Sequence, residues 1–295
     1  MKNIVVFLQN RDFFGAQITH IPLLKELKAK DPSARLHIFS KHKISGILKS
    51  LEIVDAVYYE RSKLETFKHY LSLKPTLTVN LRKKSLLENC YIGLFNHGQK
   101  IGFETAISKR FFTDVQKHNP SCYRANNYLH LLGSTLTETS LPEQKRIVII
   151  AGAGGDFKIW DIENYIELAD RLKKRYHDYE VAFVLGEKEF VLKERIAQSV
   201  HSLYYNEDIK SLYQIIQTSA FVIANDCGPS HIAQITSKRY LILYSDAKED
   251  AKVVIKEWFY KHAKSAYMIG EKGKHINTIL VEQVYTEAIR LMEIT

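Results

Sequence analysis

Apolar residues recur along the chain in two alternating spacings. Short runs such as NIVVFL (residues 3–8) and RIVIIA (146–151) are typical of buried β-strands. Segments such as IENYIELADRLKKRY (162–176) repeat apolar residues every three or four positions, as amphipathic helices do. The alternation restarts after a polar segment, Gly133 to Arg146, which we interpret as an interdomain linker. Strands alternating with helices predict parallel sheets with helices on both faces.

The pattern predicts two α/β domains, each Rossmann-like and doubly wound. The predicted strands are NIVVFL, ARLHIFS, VDAVYY, PTLTVNL and KIGFE in the first half, and RIVIIA, EVAFVLG, AFVIAN and RYLILYS in the second. We predict an N-terminal domain at residues 1–140 and a C-terminal domain at 141–295. Because ligands of such sheets bind beyond the carboxyl ends of the strands, we expect a cleft between the domains. We leave open whether the closing helix, near residues 279–294, packs back on the N-terminal domain.

The positive charge is concentrated in the first half of the chain. The net charge is +9, and residues 1–142 carry 21 Lys and Arg against 11 Asp and Glu, which gives +10. Residues 143–295 carry 21 against 22, which gives −1. The first half therefore favours an anionic partner, with a simple solubility bias as the alternative. No nucleic-acid recognition motif is present, so we expect no nucleic acid among the partners.

Two classes of protein are disfavoured by the remaining composition. No apolar run approaches the ~20 residues of a membrane span, and the N-terminal run is too short for a signal peptide, so we expect a cytoplasmic protein. The three cysteines, Cys90, Cys122 and Cys227, are too few and too widely spaced for a disulfide framework or a metal cluster.

A glycine-rich loop follows the strand that opens the second half. Gly152 and Gly154 supply two glycines of a G-x-G-x-x-G dinucleotide fingerprint, but Phe157 stands at the third position. The triphosphate-binding motif G-x-x-x-x-G-K-[ST] is absent, so neither NAD nor ATP is favoured. Glycines still allow a backbone to approach an anion closely, and Lys158 could reach a phosphate oxygen from this loop. Gly154, Gly155 and Lys158 are therefore candidate donor-binding residues, and a tight turn with a solvated lysine is the alternative.

Two further strand ends carry candidate ligands. The segment FVIANDCGPSHIAQI (221–235) runs from a buried strand into a helix, and we expect Pro229 at the first helical position. The amides at the helix start would then seat a diphosphate, which makes candidates of Asp226, Cys227, Gly228, Pro229, Ser230 and His231. Glu187, after the strand EVAFVLG, could accept hydrogen bonds from a ribose. The alternatives are a helix cap for Asp226, a packed helix residue for His231 and an exposed carboxylate for Glu187. We expect the turns around Lys158 and Pro229 to converge on one pyrophosphate.

Taken together, these segments resemble the family 9 glycosyltransferases, the bacterial heptosyltransferases of lipopolysaccharide core assembly. The most specific match is ANDCGPSHIAQI, which is similar to the family signature Asn-Asp-x-Gly-x-x-His-x-Ala. GAGGDFKIWDIENYIELADRL is similar to the family's glycine-rich segment with Lys-x-Trp, and VNLRKKSLLENCYIGLFNHGQKIGFE to an N-domain stretch ending in Ile-Gly-Phe. The helix start GAQITHIPLLKEL, with its proline at Pro22, is also similar to the family's.

The resemblance implies a GT-B fold and an inverting transfer that needs no cofactor or bound metal. The donor would be an ADP-sugar, typically ADP-heptose, and the acceptor a lipid A–core or another phosphorylated glycan. It also implies peripheral contact with the inner face of the cytoplasmic membrane, in agreement with the basic first half. By position, Lys158 would neutralise the diphosphate, Glu187 would contact the ribose, Asp226 would lie against the donor sugar, and the turn from Gly228 to His231 would cradle the phosphates.

The chain departs from the family at the catalytic base. Alignment on Pro22 places Gly15 on the family glycine and Ala16 on the family's catalytic aspartate, and alanine cannot accept a proton. We expect a moved base, with Asp12 as the first candidate and His20 as the second. The alternatives are a different acceptor, a catalytically weak member, or a non-catalytic member that binds sugar nucleotides or glycans. Basic candidates for the acceptor site are Arg61, Lys63, Arg82, Lys83, Lys84 and Arg124, of which Arg82 is favoured because it directly follows a strand.

Overall fold

A computed structural model describes residues 2–83, 85–137 and 143–294 and divides the chain into two compact units, Met1–Leu136 and Thr137–Thr295. Lys84 and residues 138–142 of the predicted linker lie outside the described residues. Each unit contains one six-stranded sheet in which every described pair of strands is parallel. The prediction of two α/β units with parallel sheets is therefore confirmed.

The first unit alternates strands and helices from its first residues. Its strands are β1 (Asn3–Phe7), β2 (Arg35–Ser40), β3 (Ala56–Tyr59), β4 (Leu77–Asn80), β5 (Gln99–Phe103) and β6 (Asp114–Gln116). Its α-helices are α1 (Phe14–Ile18), α2 (Ile21–Lys30), α3 (Ile47–Ser50), α4 (Lys63–Ser72), α5 (Leu86–Phe95), α6 (Ser108–Phe111) and α7 (Arg124–His130).

The second unit repeats the same alternation. Its strands are β7 (Gln144–Ile150), β8 (Glu180–Leu185), β9 (Ser202–Tyr205), β10 (Ser219–Asn225), β11 (Arg239–Tyr244) and β12 (Ser265–Ile269). Its α-helices are α8 (Ile162–Arg175), α9 (Phe190–Ala197), α10 (Ile209–Thr218), α11 (Ser230–Ile235), α12 (Ala251–Trp258) and α13 (Val281–Met292).

Both sheets have the same strand order. It is β3-β2-β1-β4-β5-β6 in the first unit and β12-β11-β10-β7-β8-β9 in the second. Counted from each unit's first strand, both are the doubly wound order 3-2-1-4-5-6. The direction of winding reverses between β1 and β4 and again between β7 and β10, and such sheets bind ligands at the carboxyl ends of these switch-point strands.

The sequence pattern missed three strands, and all three lie at sheet edges. β6, β9 and β12 are each paired on one side only and are half-buried or exposed along their length. An edge strand with one solvated face lacks the continuous apolar run that marks a central strand. Central strand β10, in contrast, is buried at every residue, and the pattern located it correctly.

The hydrophobic core of the second unit includes the closing helix. α13 packs on α8 and on the sheet at β11 and β12, and its Val284, Ala288 and Leu291 are fully buried there. The helix whose packing the sequence left open thus belongs to the core of the second unit. Within the described ranges, no helix combines the length and the apolar character that a membrane span requires.

Candidate functional site

In the second unit, the loops that follow β7 and β10 are joined through Asn225, the last residue of β10. Its buried side-chain oxygen accepts hydrogen bonds from the Trp160 backbone N–H (3.2 Å) and the Tyr165 hydroxyl (2.9 Å). Its side-chain nitrogen donates to the carbonyl oxygen of Ala151 at 2.8 Å. One amide therefore fixes both switch-point loops relative to each other, and a buried amide that makes three hydrogen bonds is costly to replace.

The tryptophan of the Lys-x-Trp segment, Trp160, anchors this loop in the hydrophobic core. Its ring is fully buried, packs edge-on against Tyr165 with 4.8 Å between ring centroids, and donates its indole N–H to the Ile279 carbonyl at 2.9 Å. Asp161 then caps α8 by accepting from the Glu163 N–H at 3.0 Å. With the tryptophan anchored in the core, the lysine two residues earlier is held at the carboxyl edge of the sheet.

Lys158 lies between carboxylates from two other loops. Its Nζ is 2.8 Å from Asp226 Oδ2, after β10, and 2.5 Å from Glu249 Oε1, after β11. The side chains of Lys158 and Asp226 are 19% and 13% exposed, whereas Glu249 is 43% exposed. The predicted proximity of the Lys158 and Pro229 turns is confirmed. Lys158, in the first of these loops, bonds to Asp226, the first residue of the second.

The charge of Lys158 is maintained by these partners. Burial acts to lower the pKa of its ammonium, but the carboxylates of Asp226 and Glu249 outweigh burial and raise the pKa above its ordinary value. A half-buried cation that stays charged at neutral pH is suited to stabilise a diphosphate. An incoming anion must, however, compete with the carboxylates that already hold this cation.

The predicted glycines differ in what surrounds them. A Cβ added at Gly154 would meet open space, and one added at Gly155 would lie 3.0 Å from the Phe157 ring of the same loop. Gly152 is the most restricted, because a Cβ there would lie 2.5 Å from the carboxyl group of Glu189. Glu189 also accepts a hydrogen bond from the Gly186 N–H at 2.9 Å. After β8 it is therefore Glu189 that faces the glycine loop.

Sequence reasoning chose Glu187 at this strand end and missed Glu189. Glu187 is exposed, at the start of a short 3₁₀ helix, and its role toward a ribose stays a prediction. Glu189 is revealed by its close approach to Gly152, where the Glu189 carboxyl group leaves no room for a Cβ. A sequence alone does not show that contact.

The turn after β10 is more closed than expected. α11 has only six residues and begins at Ser230, so Pro229 precedes the helix where the prediction made it the first helical residue. The Ser230 hydroxyl donates to the Cys227 carbonyl at 2.8 Å, and the His231 N–H donates to the Gly228 carbonyl at 3.2 Å. The expectation that the His231 amide points outward at a phosphate is therefore wrong, because that donor closes the turn itself.

Two side chains of this turn are packed inside the unit. Cys227 is buried, and burial raises the pKa of its thiol to about 12. His231 is also buried, with Nδ1 3.0 Å from Gln234 Nε2 and its ring against Trp258. Cys227 and His231 therefore pack on the interior side of the turn, whereas Asp226 and Gly228 are partly exposed to solvent.

A fourth strand end, after β11, adds residues that sequence reasoning missed. Glu249 and Lys248 belong to the loop after β11, and the Lys248 Nζ lies 5.0 Å from the centre of the Phe157 ring. The Lys158 Nζ lies 5.6 Å from the same ring. Phe157 thus contacts two ammonium groups. The available signal was the charged segment DAKED directly after the predicted strand RYLILYS.

In the first unit, Asp12 lies in the loop after β1 and is well exposed. Its Oδ1 is 3.5 Å from Nδ1 of His42, which lies in the loop after β2, and its side chain is 70% exposed. Ala16, which the sequence comparison at Pro22 predicts to be equivalent to the family's aspartate, lies in α1 and is buried. The exposed Asp12 can meet a substrate, and His42 is a neighbour that sequence reasoning missed.

The prediction of His20 as a base is wrong. His20 is fully buried between α1 and α2 and stacks on Tyr128 with 5.0 Å between ring centroids. Burial, helped by the charge of Arg124, lowers the pKa of its imidazole to about 3. A group that no substrate can contact and that resists protonation at neutral pH cannot accept the acceptor's proton.

The prediction of Arg82 as an acceptor contact is also wrong. Its side chain is 3% exposed and forms ion pairs with Glu60 and with Glu88, the latter at 3.3 Å. It also donates to the backbone carbonyls of Leu8 (2.8 Å) and Phe39 (3.3 Å). Every side of this guanidinium is occupied by the protein itself, because the residue fills the switch point between β1 and β4.

The other basic candidates divide by burial. Arg124 is 2% exposed and bonds to Gln9 and Tyr128, which removes it from the surface where an acceptor could bind. Lys83 is half-buried, with its Nζ 5.4 Å from the centre of the Phe103 ring. Arg61 and Lys63 are exposed and line a surface cavity of about 230 Å³. They are the best placed of the predicted acceptor residues.

Comparisons with known proteins agree with this geometry. The family model described as glycosyltransferase family 9 (heptosyltransferase) matches residues 81–257, more than half of the chain. A search among proteins of curated function returned no relative.

Solved structures show the same fold at low identity. Escherichia coli ADP-heptose lipopolysaccharide heptosyltransferase II is 16% identical, with 99% of this chain and 98% of that chain covered and a TM-score of 0.68. A family 9 glycosyl transferase from Veillonella parvula is 15% identical, with coverage of 99% and 97% and a TM-score of 0.70. E. coli heptosyltransferase WaaC, solved with ADP-2-deoxy-2-fluoro heptose, is 13% identical, with coverage of 98% and 99% and a TM-score of 0.70.

The family match and the strand-end chemistry lead to the same assignment. The segment 81–257 includes the Lys-x-Trp loop, the Asn225 turn and the Glu249 loop that meet at Lys158. The GT-B fold expected from the sequence is the fold of these heptosyltransferases. The chain belongs to glycosyltransferase family 9 and is a glycosyltransferase.

Proposed function

We propose that the chain transfers a sugar, with inversion and without a bound metal, from an ADP-sugar to a lipopolysaccharide core or related acceptor. We propose heptose as the sugar, because the family model is described by that activity and because WaaC was solved with an ADP-heptose analogue. The observation that carries the proposal is the Lys158 cation, bonded to Asp226 at 2.8 Å at the switch point of the second unit.

On the donor side, Lys158 would bind the diphosphate and stabilise it as it leaves. The bond between the anomeric carbon and the phosphate oxygen breaks in an inverting transfer, and the departing ADP carries the electron pair as negative charge. The half-exposed Glu249 is the partner that a diphosphate would displace. Asp226, the less exposed carboxylate, would stay and accept hydrogen bonds from the donor sugar. Gly154, facing open space, leaves room for the phosphates.

On the acceptor side, we propose Asp12 as the base. The acceptor hydroxyl oxygen attacks the anomeric carbon opposite the leaving diphosphate, and its proton passes to a carboxylate oxygen of Asp12. His42, at 3.5 Å, would hold that carboxylate in place. The excess positive charge of residues 1–142 and the exposed Arg61 and Lys63 favour a phosphorylated acceptor. We further propose that the protein acts at the inner face of the cytoplasmic membrane.

The proposal is tested by incubating the full chain with ADP-heptose and heptose-less lipopolysaccharide. We expect a glycosylated product, release of ADP, and unchanged turnover when EDTA is added. Parallel reactions with GDP- and UDP-sugars test the choice of nucleotide. Asp12→Asn should reduce kcat by about a hundredfold or more, whereas the donor KM stays the same. Failure with all three classes of nucleotide sugar would refute the proposal.

The buried Ala16 favours one second candidate, a non-catalytic family member that binds sugar nucleotides or glycans. Such a protein would keep Lys158 and its partners but lack a base. Calorimetry would then detect ADP-sugar binding without turnover, and Asp12→Asn would leave that binding unaltered. Any transfer that Asp12→Asn abolishes in a folded protein excludes this candidate.

A further inference from the structure

Helix α5 is apolar on its outer face as well as its inner one. Its sequence is LLENCYIGLF, and its one charged residue, Glu88, is turned inward to Arg82 at 3.3 Å. Asn89 is buried and accepts a hydrogen bond from Asn80 at 2.8 Å. A surface helix normally places its polar residues outward, so the inward direction of both is the reverse of the usual arrangement.

The outward residues lie on one side of the helix and most of them are apolar and exposed. Leu86, Cys90 and Leu94 are spaced by four residues, and Leu87 lies beside them on the same side of the helix, so we call these four the α5 face. Leu86 is 69% exposed, Leu87 45% and Leu94 58%. Phe95, 53% exposed, extends this surface toward α4 through a ring contact with Phe67 at 5.4 Å. Single exposed leucines are ordinary, but several of them on one side of a helix mark a surface that something covers.

Basic side chains border the α5 face. Leu87 lines the same cavity as Lys41, Arg61 and Lys63. On the other side α6, which carries Lys109 and Arg110, packs against α5 so closely that a Cβ on Gly93 would lie 2.6 Å from the Phe111 Cβ. An apolar surface bordered by cations is complementary to an anionic bilayer, with leucines among the acyl chains and ammonium groups among the phosphates.

We infer that the α5 face is the surface by which the first unit docks on an anionic lipid bilayer. A second copy of the chain fits the face less well, because a symmetric contact would bring the two sets of basic residues together. α5 follows the carboxyl end of β4, the edge at which such sheets meet their ligands. The inference rests on the proposed function, since it gives a lipid-linked acceptor a route to this edge.

The test is sedimentation of the full chain with vesicles, without donor or acceptor. The vesicles contain phosphatidylcholine alone or mixed with phosphatidylglycerol, at low and high salt. We expect binding to the anionic vesicles only, and Leu86→Asp with Leu94→Asp should reduce it by about tenfold or more. The matched control is Val200→Asp with Leu280→Asp, which adds the same charge at apolar positions of the second unit that are 87% and 60% exposed.

Three results of the vesicle sedimentation would overturn the inference. They are absence of wild-type binding, equal loss of binding in the α5 variant and the control, and unchanged binding of a folded α5 variant. A concentration-dependent dimer that the α5 variant abolishes would assign the face to a second copy and would equally overturn the lipid assignment.

A fluorophore on Cys90 provides a second measurement that does not depend on the fold of the leucine variant. Cys90 lies on the α5 face, Cys227 is buried, and Cys122→Ser leaves Cys90 as the accessible thiol. A blue shift with anionic vesicles supports the inference, and an unchanged spectrum refutes it.

The two proposals fail separately. Vesicle binding without any sugar transfer would refute the proposed function and leave the docking surface intact. If the wild type transfers sugar to a delipidated acceptor but ignores anionic vesicles, the docking surface is refuted and the transferase activity is not.

Discussion

Each unit places a basic residue at the switch point of its sheet, after the fourth strand in the first unit and after the first strand in the second, and the two residues have different roles. Arg82 follows β4 and Lys158 follows β7, each at the switch point of its sheet, and each contacts two carboxylates. The partners of Arg82, Glu60 and Glu88, are 7% and 12% exposed, and two backbone carbonyls complete its bonds. Lys158 has one sheltered carboxylate, Asp226, and one that is 43% exposed, Glu249.

The difference shows that a charge at a strand end is not enough to define a binding site. A cation that is sealed on all sides stabilises the loops around it but offers no bond to a ligand. A cation with an exposed partner can exchange that partner for a substrate anion. In the first unit Arg82 fills the switch point, and in the second unit the switch point is accessible at Lys158.

The largest expected effect comes from removing the sealed cation. Arg82→Met leaves Glu60 and Glu88 buried without their partner and should reduce the free energy of unfolding by about 3–5 kcal/mol. Urea denaturation measures this loss. Lys145→Met, which removes an exposed pair with Asp178, is the control and should cost little. A stable Arg82→Met protein with a raised acceptor KM would return Arg82 to the acceptor site.

The next effect tests the accessible cation. Lys158→Ala should lower kcat/KM for the donor by about a hundredfold to a thousandfold, because the leaving diphosphate loses its charged donor. The free energy of unfolding should change far less than in Arg82→Met. Lys174→Ala, an exposed lysine on the following helix, is the kinetic control. Equal kinetics for both lysine variants would show that Lys158 does not meet the donor.

A third test concerns the other sealed group of the first unit, His20. Its folded pKa of about 3 lies below the ordinary 6.5, so the unfolded chain takes up a proton first as pH falls. The contribution of neutral His20 to the free energy of unfolding is therefore complete above pH 6.5 and is lost as the pH falls toward 3. Between about pH 7 and about pH 5 this loss should be about 2 kcal/mol.

The variant His20→Phe keeps the stacking on Tyr128 and should remove that share of the acid sensitivity. Urea denaturation at both pH values measures it. His130→Phe, at an exposed histidine on the helix that carries Tyr128, should behave as the wild type. The same acid sensitivity in the wild type and His20→Phe would show that His20 is not held neutral.

The smallest effect sharpens the account of Lys158. Glu249→Gln removes the exposed competitor of the diphosphate, and we expect the donor KM to fall about threefold to fivefold with kcat nearly unchanged. Steady-state kinetics with varied ADP-sugar measure it, and Glu257→Gln on α12 is a control. A higher donor KM would instead make Glu249 a ligand of the donor.

The sequence by itself predicted the two parallel sheets and the proximity of the two donor loops. Alternating strand and helix patterns determined the two parallel sheets, because periodicity is a local property of the chain. The segments around Lys158 and Asn225 could be paired in advance, since both follow buried central strands and the carboxyl ends of parallel strands share one edge.

Only the tertiary structure decided which charged residues are sealed and which are accessible. Arg82 and Arg124 were candidate acceptor contacts and His20 was a candidate base, but residues remote in the chain enclose all three. Other residues of the site belong to no motif that the sequence shows. Packing nevertheless brings Glu249 to Lys158, Glu189 to Gly152 and His42 to Asp12. Burial and pairing depend on loops that lie far apart in sequence and meet only in the folded sheet, and for that reason local pattern could not reveal them.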